Sequence, residues 1–541
     1  MPAPILLRQY LLIPLIGLLG GWATTRFLVR HHTALEQIND VKARRIVLAL
    51  LTGFIATMGW MVTARYLTWH SFVFDLGSYD QKVWLVSQQS NLSGMWQQTY
   101  KDGTHVSPCG INWYWGICHF QPWLLIPGLI YKVWDSPLVL LWIQVLLVAS
   151  GVIPTYLLAR ERLDSAAAGV LASAIYVLYP AVQYNGVVDF RPDHAAIPTM
   201  LWAYVLAARG RYPASLAMAF VGGLAKETLI LNGAFFGLYL AIRHKQRIIG
   251  GLAFILGLAA FYSVMFYLLR FNGISEGRFM IQRYFPSLSI LVGGMSSGMP
   301  ALRTIIQNLT QAHKLLYLEA LLVPLAFLPL FALPELIPAI PCLAISLLAS
   351  NPDYSSIQEQ YSASVVAPAF AAFLVAVADP RRTLTHGAAR APIVAGIAVL
   401  CLFVSFGLGP TPLSRNFWNS SWGGRWHVSQ YRSDRGQILD RATALIPTYP
   451  NAAVVTQNDI NSGRLAHRNN FFAFPYALNR ADYVLLDTRR QPYVHSAWDP
   501  ERYYAALNKL EVDQRYQRIF EEHGVLLFKR RTLTSAQVSR K

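Results

Sequence analysis

The fold is decided by the stretch from Ile46 to Trp84, IVLALLTGFIATMGWMVTARYLTWHSFVFDLGSYDQKVW. Its first half, Ile46 to Ala64, carries no charge, and about 20 apolar residues in a helix suffice to cross a bilayer. Lys42, Arg44 and Arg45 precede it. Basic residues collect on the cytoplasmic side of a membrane protein, so this segment reads as a span running outward. Its second half sets Asp75 and Asp80 among Phe72, Phe74, Tyr79 and Trp84. Carboxylates directly after a span need a reason.

Composition carries the same message along the whole chain. Of 541 residues, 54% are hydrophobic and 14% charged, against about 25% charged in a soluble protein. Mean hydropathy is +0.34, which points to a multi-pass helical membrane protein. The net charge of +18 does not indicate nucleic acid. The cations lie in short clusters between apolar runs, not on one face interleaved with stacking aromatics. Cys342 and Cys401 fall inside apolar runs and read as packing residues. Cys109 and Cys118 share one polar loop and lack metal-type spacing; a disulfide fits if that loop faces an oxidising compartment.

Working outward, Leu11 to Leu28 reads as a retained span, because no small-residue cleavage site follows it. Together with residues 1–45 it forms an extra N-terminal helix and a basic cytoplasmic loop. Residues 65–120 form a large outer loop, and the apolar piece PWLLIPGLIYKVW after it is too short to span and suits the interface. Further apolar runs lie near 138–159, 166–182, 195–208, 213–225, 228–242, 248–269, 315–333, 335–349, 362–378 and 391–409. The expected total is about twelve transmembrane helices, several short enough to imply broken or tilted spans. With that count, Arg160 and Arg162, Arg209 and Arg211, Arg243, Lys245 and Arg247, and Arg381, Arg382 and Arg390 all fall on one side. From residue 410 to 541 the sequence turns polar and mixed. AAVVTQNDI, ADYVLLDTRR and GVLLFKRR read as strands, GQILDRATALI and ERYYAALNKL as helices. A small extracytoplasmic α/β domain is expected, in a chain of the plasma (inner) membrane.

Ionisable residues at membrane depth are costly and therefore functional candidates. Four places hold them at the outer ends of apolar runs. Asp75 and Asp80 are the first, with helix capping as the plainer alternative. The second is VVDFRPDHAAIP, with Asp189, Arg191, Asp193 and His194; a solvated loop with Asp193 as a cap is the alternative. Lys226 and Glu227 are the third, and a mutual ion pair stapling two helices would also account for them. The fourth is NPDYSSIQEQYSASVVAP, with Asp353, Gln360 and Tyr361, which interfacial anchoring would also explain. A transporter would more naturally place such groups near the midplane. Carboxylates with a lysine and an arginine at one face suggest chemistry on a phosphate-bearing lipid. A carboxylate there suits a general base or a divalent metal ligand.

These motifs, FDLGSYDQKVW, GICHFQPWLLIP, DFRPDHAAIP, AKETLIL and VVTQNDINSGRLAHRNNFFAFP with ADYVLLD, occur in that order from Ile46 to Arg530. Together they resemble domain-of-unknown-function family 2079, multi-pass proteins of the GT-C glycosyltransferase superfamily. The chain differs from that family's common pattern at Arg191 and Gln360, where histidine is usual, and at Thr228, where aspartate is usual. The resemblance implies a GT-C-like transmembrane domain over 46–409 and a polyprenyl-phosphate-linked sugar as donor. By position it makes Asp75 the catalytic base. Asp80, His119, Asp189, Arg191, Asp193, His194, Lys226, Glu227, Gln360 and Tyr361 become the candidate substrate-binding residues. Partners would be the lipid-linked sugar and membrane lipid, with no nucleic acid. No cofactor is specified, and a divalent metal fits. The expected function is sugar transfer to an envelope acceptor at the outer leaflet. A transporter or flippase of a polar lipid and a non-catalytic envelope scaffold are the alternatives.

Overall fold

The computed structural model describes residues 7–31, 35, 38–93, 95, 119–268, 298–379, 390–419, 424–447, 452–460, 465, 471–475, 478–490, 493–494, 497–498 and 500–531. Cys109 and Cys118 lie outside them.

The chain is predominantly helical. Among the described residues six helices are long and apolar enough to cross a membrane: Arg8–Arg30, Asp40–Leu67, Pro137–Leu163, Arg247–Phe266, Gln360–Ala378 and Arg390–Leu408. Ala166–Leu178 and Pro180–Val187, bent by 55°, make a seventh if counted as one span. The expectation of about twelve spans is therefore corrected to six or seven. Two physical causes account for the difference. The apolar run 315–349 contains Pro324, Pro329, Pro334, Pro338 and Pro341. Each ring removes a backbone donor and clashes with the preceding turn, so the run is cut into pieces such as Ala312–Leu322 and Ile340–Leu348. The runs near 195–242 fold as Ala196–Ala208, Tyr212–Gly223 and Glu227–Arg243, of 13, 12 and 17 residues, each shorter than the about 20 that cross a bilayer.

Small residues bring two of the spans into backbone contact. A Cβ on Gly21 would lie 2.4 Å from the Gly396 carbonyl oxygen, so Arg8–Arg30 and Arg390–Leu408 cross with nothing between them. Such close approach is how membrane helices gain packing when lipid tails remove the hydrophobic drive. The N-terminal helix is thus part of the bundle.

The basic connections meet at one end. Arg160 binds both oxygens of Asp40 at 2.7 Å, Arg209 Nε donates to Glu161 at 2.9 Å, and Arg243 Nε donates to Glu335 at 2.9 Å. Asp40 begins a helix of 28 residues, about 42 Å long at 1.5 Å per residue. Asp75, just beyond its far end, lies at the opposite end of the bundle.

The C-terminal region builds a five-stranded sheet from β1 (Val454–Thr456), β2 (Phe471–Ala473), β3 (Tyr483–Asp487), β6 (Tyr516–Glu522) and β7 (Val525–Arg530), in the order β2-β1-β3-β7-β6. β4 (Tyr493–Val494) and β5 (Ala497–Trp498) form a separate ribbon. β1 is parallel to β2 and β3, while β7 is antiparallel to β3 and β6. Side chains alternate across a strand. Tyr483 and Leu485 therefore face the helix Arg435–Ala444, whereas Val484 and Leu486 face the helix Pro500–Val512. Covered on both faces, β3 is a continuous buried run, as YVLLD suggests. β2 and β6 had no reading from the sequence. β6 is an edge strand in which Tyr516, Ile519 and Phe520 do not alternate with Gln517, Arg518, Glu521 and Glu522, so it carries no period-2 signal.

Candidate functional site

The site gathers where three local features meet. The first is the turn after the Asp40–Leu67 span. Val73–Gly77 forms a single π-helical turn leading into the helix Ser78–Ser87. The residue that precedes the helix Ser78–Ser87 is Gly77, which offers no side-chain cap. The Asp75 carboxylate forms an ion pair with the Arg191 guanidinium, and the two side chains are 20% and 22% exposed. That exposure makes this pair the accessible edge of the site. The Arg191 guanidinium also lies over the ring of Tyr79, 5.4 Å from its centre.

The second feature is the loop before Ala196–Ala208. Pro192–Ala195 forms one 3-10 turn, which turns Asp193 and His194 inward. Lys226 Nζ donates to Asp193 Oδ1 at 2.9 Å, with both side chains only 9% exposed. Burial pushes the Asp193 carboxyl up, but the Lys226 ammonium and its hydrogen bond more than offset that, so it sits below its ordinary value. Asn185 Nδ2 donates to Ala181 O and Ser362 Oγ, which leaves its Oδ1 to accept from His194 Nδ1 at 2.9 Å. His194 is therefore a neutral imidazole, driven down to about 3 by burial. Arg191 Nε, Asp193 Oδ2 and His194 Nε2 are buried with no hydrogen-bond partner among the described residues.

The third feature is the break at Lys226. The extended backbone of Lys226 separates Tyr212–Gly223 from Glu227–Arg243. The two residues do not pair with each other, as the stapling alternative expected. Lys226 turns to Asp193, and its Nζ lies 5.5 Å above the ring of Tyr361. Glu227 accepts from His119 Nδ1 at 2.7 Å and from the Phe120 amide at 3.0 Å. Burial pushes Glu227 up, and His119 with its hydrogen bond, Lys226 and a backbone hydrogen bond together more than reverse it. The Tyr361 ring stacks on Tyr354 at 4.1 Å, so it is part of the site wall.

Seven of the predicted residues thus form one band: Asp75, Arg191, Asp193, Lys226, Tyr361, Glu227 and His119, with His194 joined to Asp193 along the same turn. Gln360 is buried beside Tyr361 in sequence. Two predicted binders have other partners. Asp80 is fully buried and accepts from Tyr131 Oη at 2.7 Å. Burial pushes its carboxyl well above the usual range. Asp189 accepts from the Phe72 amide at 2.6 Å and faces Arg65 at 3.8 Å. It holds the entry to the Asp75 turn.

Arg65 was missed by sequence reasoning. It is buried, donates to Val187 O and His70 O at 2.8 Å, and lies over Trp426 at 4.8 Å. Its signal was a lone arginine at the end of the span away from Lys42, Arg44 and Arg45. Asn185, which fixes the His194 tautomer, had no signal at all.

Among the described residues no group of three or more His, Cys, Asp and Glu side chains is arranged to hold a metal ion. Asp75, Asp193 and Glu227 are each engaged by a cation or histidine of the chain itself, a donor set that does not fit a divalent cation. Chemically, the band offers one accessible carboxylate, two cations and a neutral histidine in a buried setting.

No curated protein matches the chain. The family profile described as "Predicted membrane protein (DUF2079)" matches residues 65–527, from the end of the second span into β7. The chain belongs to that family of membrane proteins, DUF2079.

Proposed function

We propose that the chain is a GT-C-type glycosyltransferase of the plasma membrane, moving a sugar from a polyprenyl-phosphate donor to an envelope acceptor. The observation that carries this reading is the Asp75–Arg191 pair at the accessible edge of a buried charged band. Asp75 takes the proton from the acceptor hydroxyl as that oxygen attacks the anomeric carbon. The bond from that carbon to the phosphate oxygen breaks, and the phosphate leaves with the electron pair. Arg191, whose planar fork suits phosphate as well as carboxylate, exchanges Asp75 for the leaving group, and Lys226 adds positive potential behind it. The partnerless buried atoms on the 191–194 turn include a donor, Arg191 Nε, and acceptors, Asp193 Oδ2 and His194 Nε2. Buried polar groups are normally satisfied, and sugar hydroxyls, which both donate and accept, suit this mixed set. Depth supports a lipid donor. Ala196–Ala208 has 13 residues, about 20 Å of rise, less than the roughly 30 Å hydrocarbon core. Its N-terminal end, where the band begins, is therefore recessed from the outer face, which is also taken to carry the C-terminal domain.

A second reading, transport of a polar lipid, is favoured by the bent pair Ala166–Leu178 and Pro180–Val187, since broken helices line transporter sites. One experiment separates the two. Glycan and glycolipid profiles are compared for envelopes containing the native protein or Asp75→Asn at matched levels. Loss of one sugar-bearing species supports transfer. Unchanged profiles with Asp75→Asn, but changed ones on deleting the protein, remove Asp75 as the base and favour transport.

A further inference from the structure

The C-terminal domain grips the chain just ahead of the proposed base. Trp69 follows the second span, adopts a left-handed backbone (φ 61°) and is fully buried. It packs into the core of the α/β domain with Leu439, Ile446, Val454, Leu485 and Leu527. Its Nε1 donates to Asp440 Oδ1 at 3.0 Å. A left-handed conformation at a bulky residue persists only where the surroundings over-determine it.

Arg490 completes the grip. It stands at the carboxyl end of β3, where Asp487 orients its guanidinium at 3.2 Å. Arg435 Nε in turn holds Asp487 at 2.7 Å. Arg490 Nη2 donates to the Thr68 carbonyl at 3.0 Å, and Nη1 donates to the Trp69 carbonyl. Thr68 is the C-cap of the span, and its carbonyl is one that a helix end leaves without an intrahelical donor. Thr68 Oγ1 donates to Gln430 O at 2.6 Å. A Cβ on Gly436 would come within 2.9 Å of Leu67 O, so the domain's first helix sits directly on the end of the span. From there the chain is pinned again at Phe72 by Asp189, and β2 lies alongside the turn Val73–Gly77.

The geometry points to Trp69 and Arg490 as positioning residues: through them the α/β domain sets the Asp75 turn against Arg191. This rests on the proposed role of Asp75, but the grip itself is testable without it. The full-length protein in detergent is examined by hydrogen exchange with mass spectrometry, as native, Arg490→Met, Arg490→Lys and Trp69→Phe. Loss of the Arg490 fork is expected to raise exchange across 70–80 by at least about threefold, while β3 and β7 keep native protection. Arg490→Lys, still cationic, recovers part of that protection. Trp69→Phe, which keeps a ring but loses the bond to Asp440, gives a smaller rise and serves if Arg490→Met unfolds the sheet. Unchanged exchange over 70–80 in variants with a protected sheet overturns the proposal. The envelope profile of Asp75→Asn, measured alongside, separates it from the reading of Asp75. Raised exchange together with a native profile in Asp75→Asn leaves the grip standing and removes the base.

Discussion

Lys226 and Asp193 form an ion pair at 2.9 Å with both side chains almost withdrawn from solvent. They come from different helix connections, 33 positions apart, so the pair ties the loop that carries Arg191 to the break that carries Glu227. A buried pair is not in itself strong evidence of stability, but removing one partner leaves an uncompensated buried charge. Lys226→Met and Asp193→Asn are each expected to destabilise the protein by about 3–5 kcal/mol. The double variant Lys226→Met/Asp193→Asn should recover at least half of that. Unfolding midpoints in detergent for the three variants check this; additive losses would contradict the pairing.

Asp75 and Asp80 should behave oppositely. Burial pushes the Asp80 carboxyl well above its ordinary value, and Asp80→Asn keeps the shape of the group and an oxygen that accepts from Tyr131 Oη. Its cost should stay below about 1 kcal/mol, one hydrogen bond, with the envelope profile unchanged. Asp75→Asn should leave stability nearly native and abolish the product. Thermal midpoints and profiles of both variants, measured side by side, decide it.

His194 predicts an acid-side loss of stability. The folded protein holds it down to about 3 from an ordinary 6.5, so only the unfolded chain takes up the proton between those values. Stability is then full above 6.5 and declines as pH falls towards 3, by up to about 1.4 kcal/mol per pH unit. His194→Gln should flatten that slope. Unfolding midpoints at pH 7.5 and pH 5.0 should differ less in the variant than in the native protein.

Gly21 predicts that the N-terminal helix can be prised from the bundle. Gly21→Leu forces side-chain volume against the Gly396 carbonyl, an overpacking cost of about 1–3 kcal/mol or more. Gly20 lies near Val399, with a Cβ at Gly20 3.5 Å from a Val399 methyl. Cysteines at those two positions should cross-link in the native background and fail to do so with Gly21→Leu.

Legibility followed the range of each interaction. Apolar length and the side of each basic cluster are local properties, and the sequence alone determined from them that this is a helical membrane protein with its cations drawn to one end. The strands VVT and YVLLD and the two C-terminal helices were legible for the same reason, since each carries its own period. The grouping of acids and cations into a site was legible only as four neighbouring motifs. Which acid met which cation was decided by tertiary structure: Lys226 turned from its neighbour Glu227 to Asp193, and Asp80 turned from the site to Tyr131. The number of spans was decided there too, because apolar content does not register how five closely spaced prolines break a helix. Least legible was Trp69. An aromatic residue at the end of a span reads as an interfacial anchor, and only the folded chain places it in the core of a domain that begins hundreds of residues later.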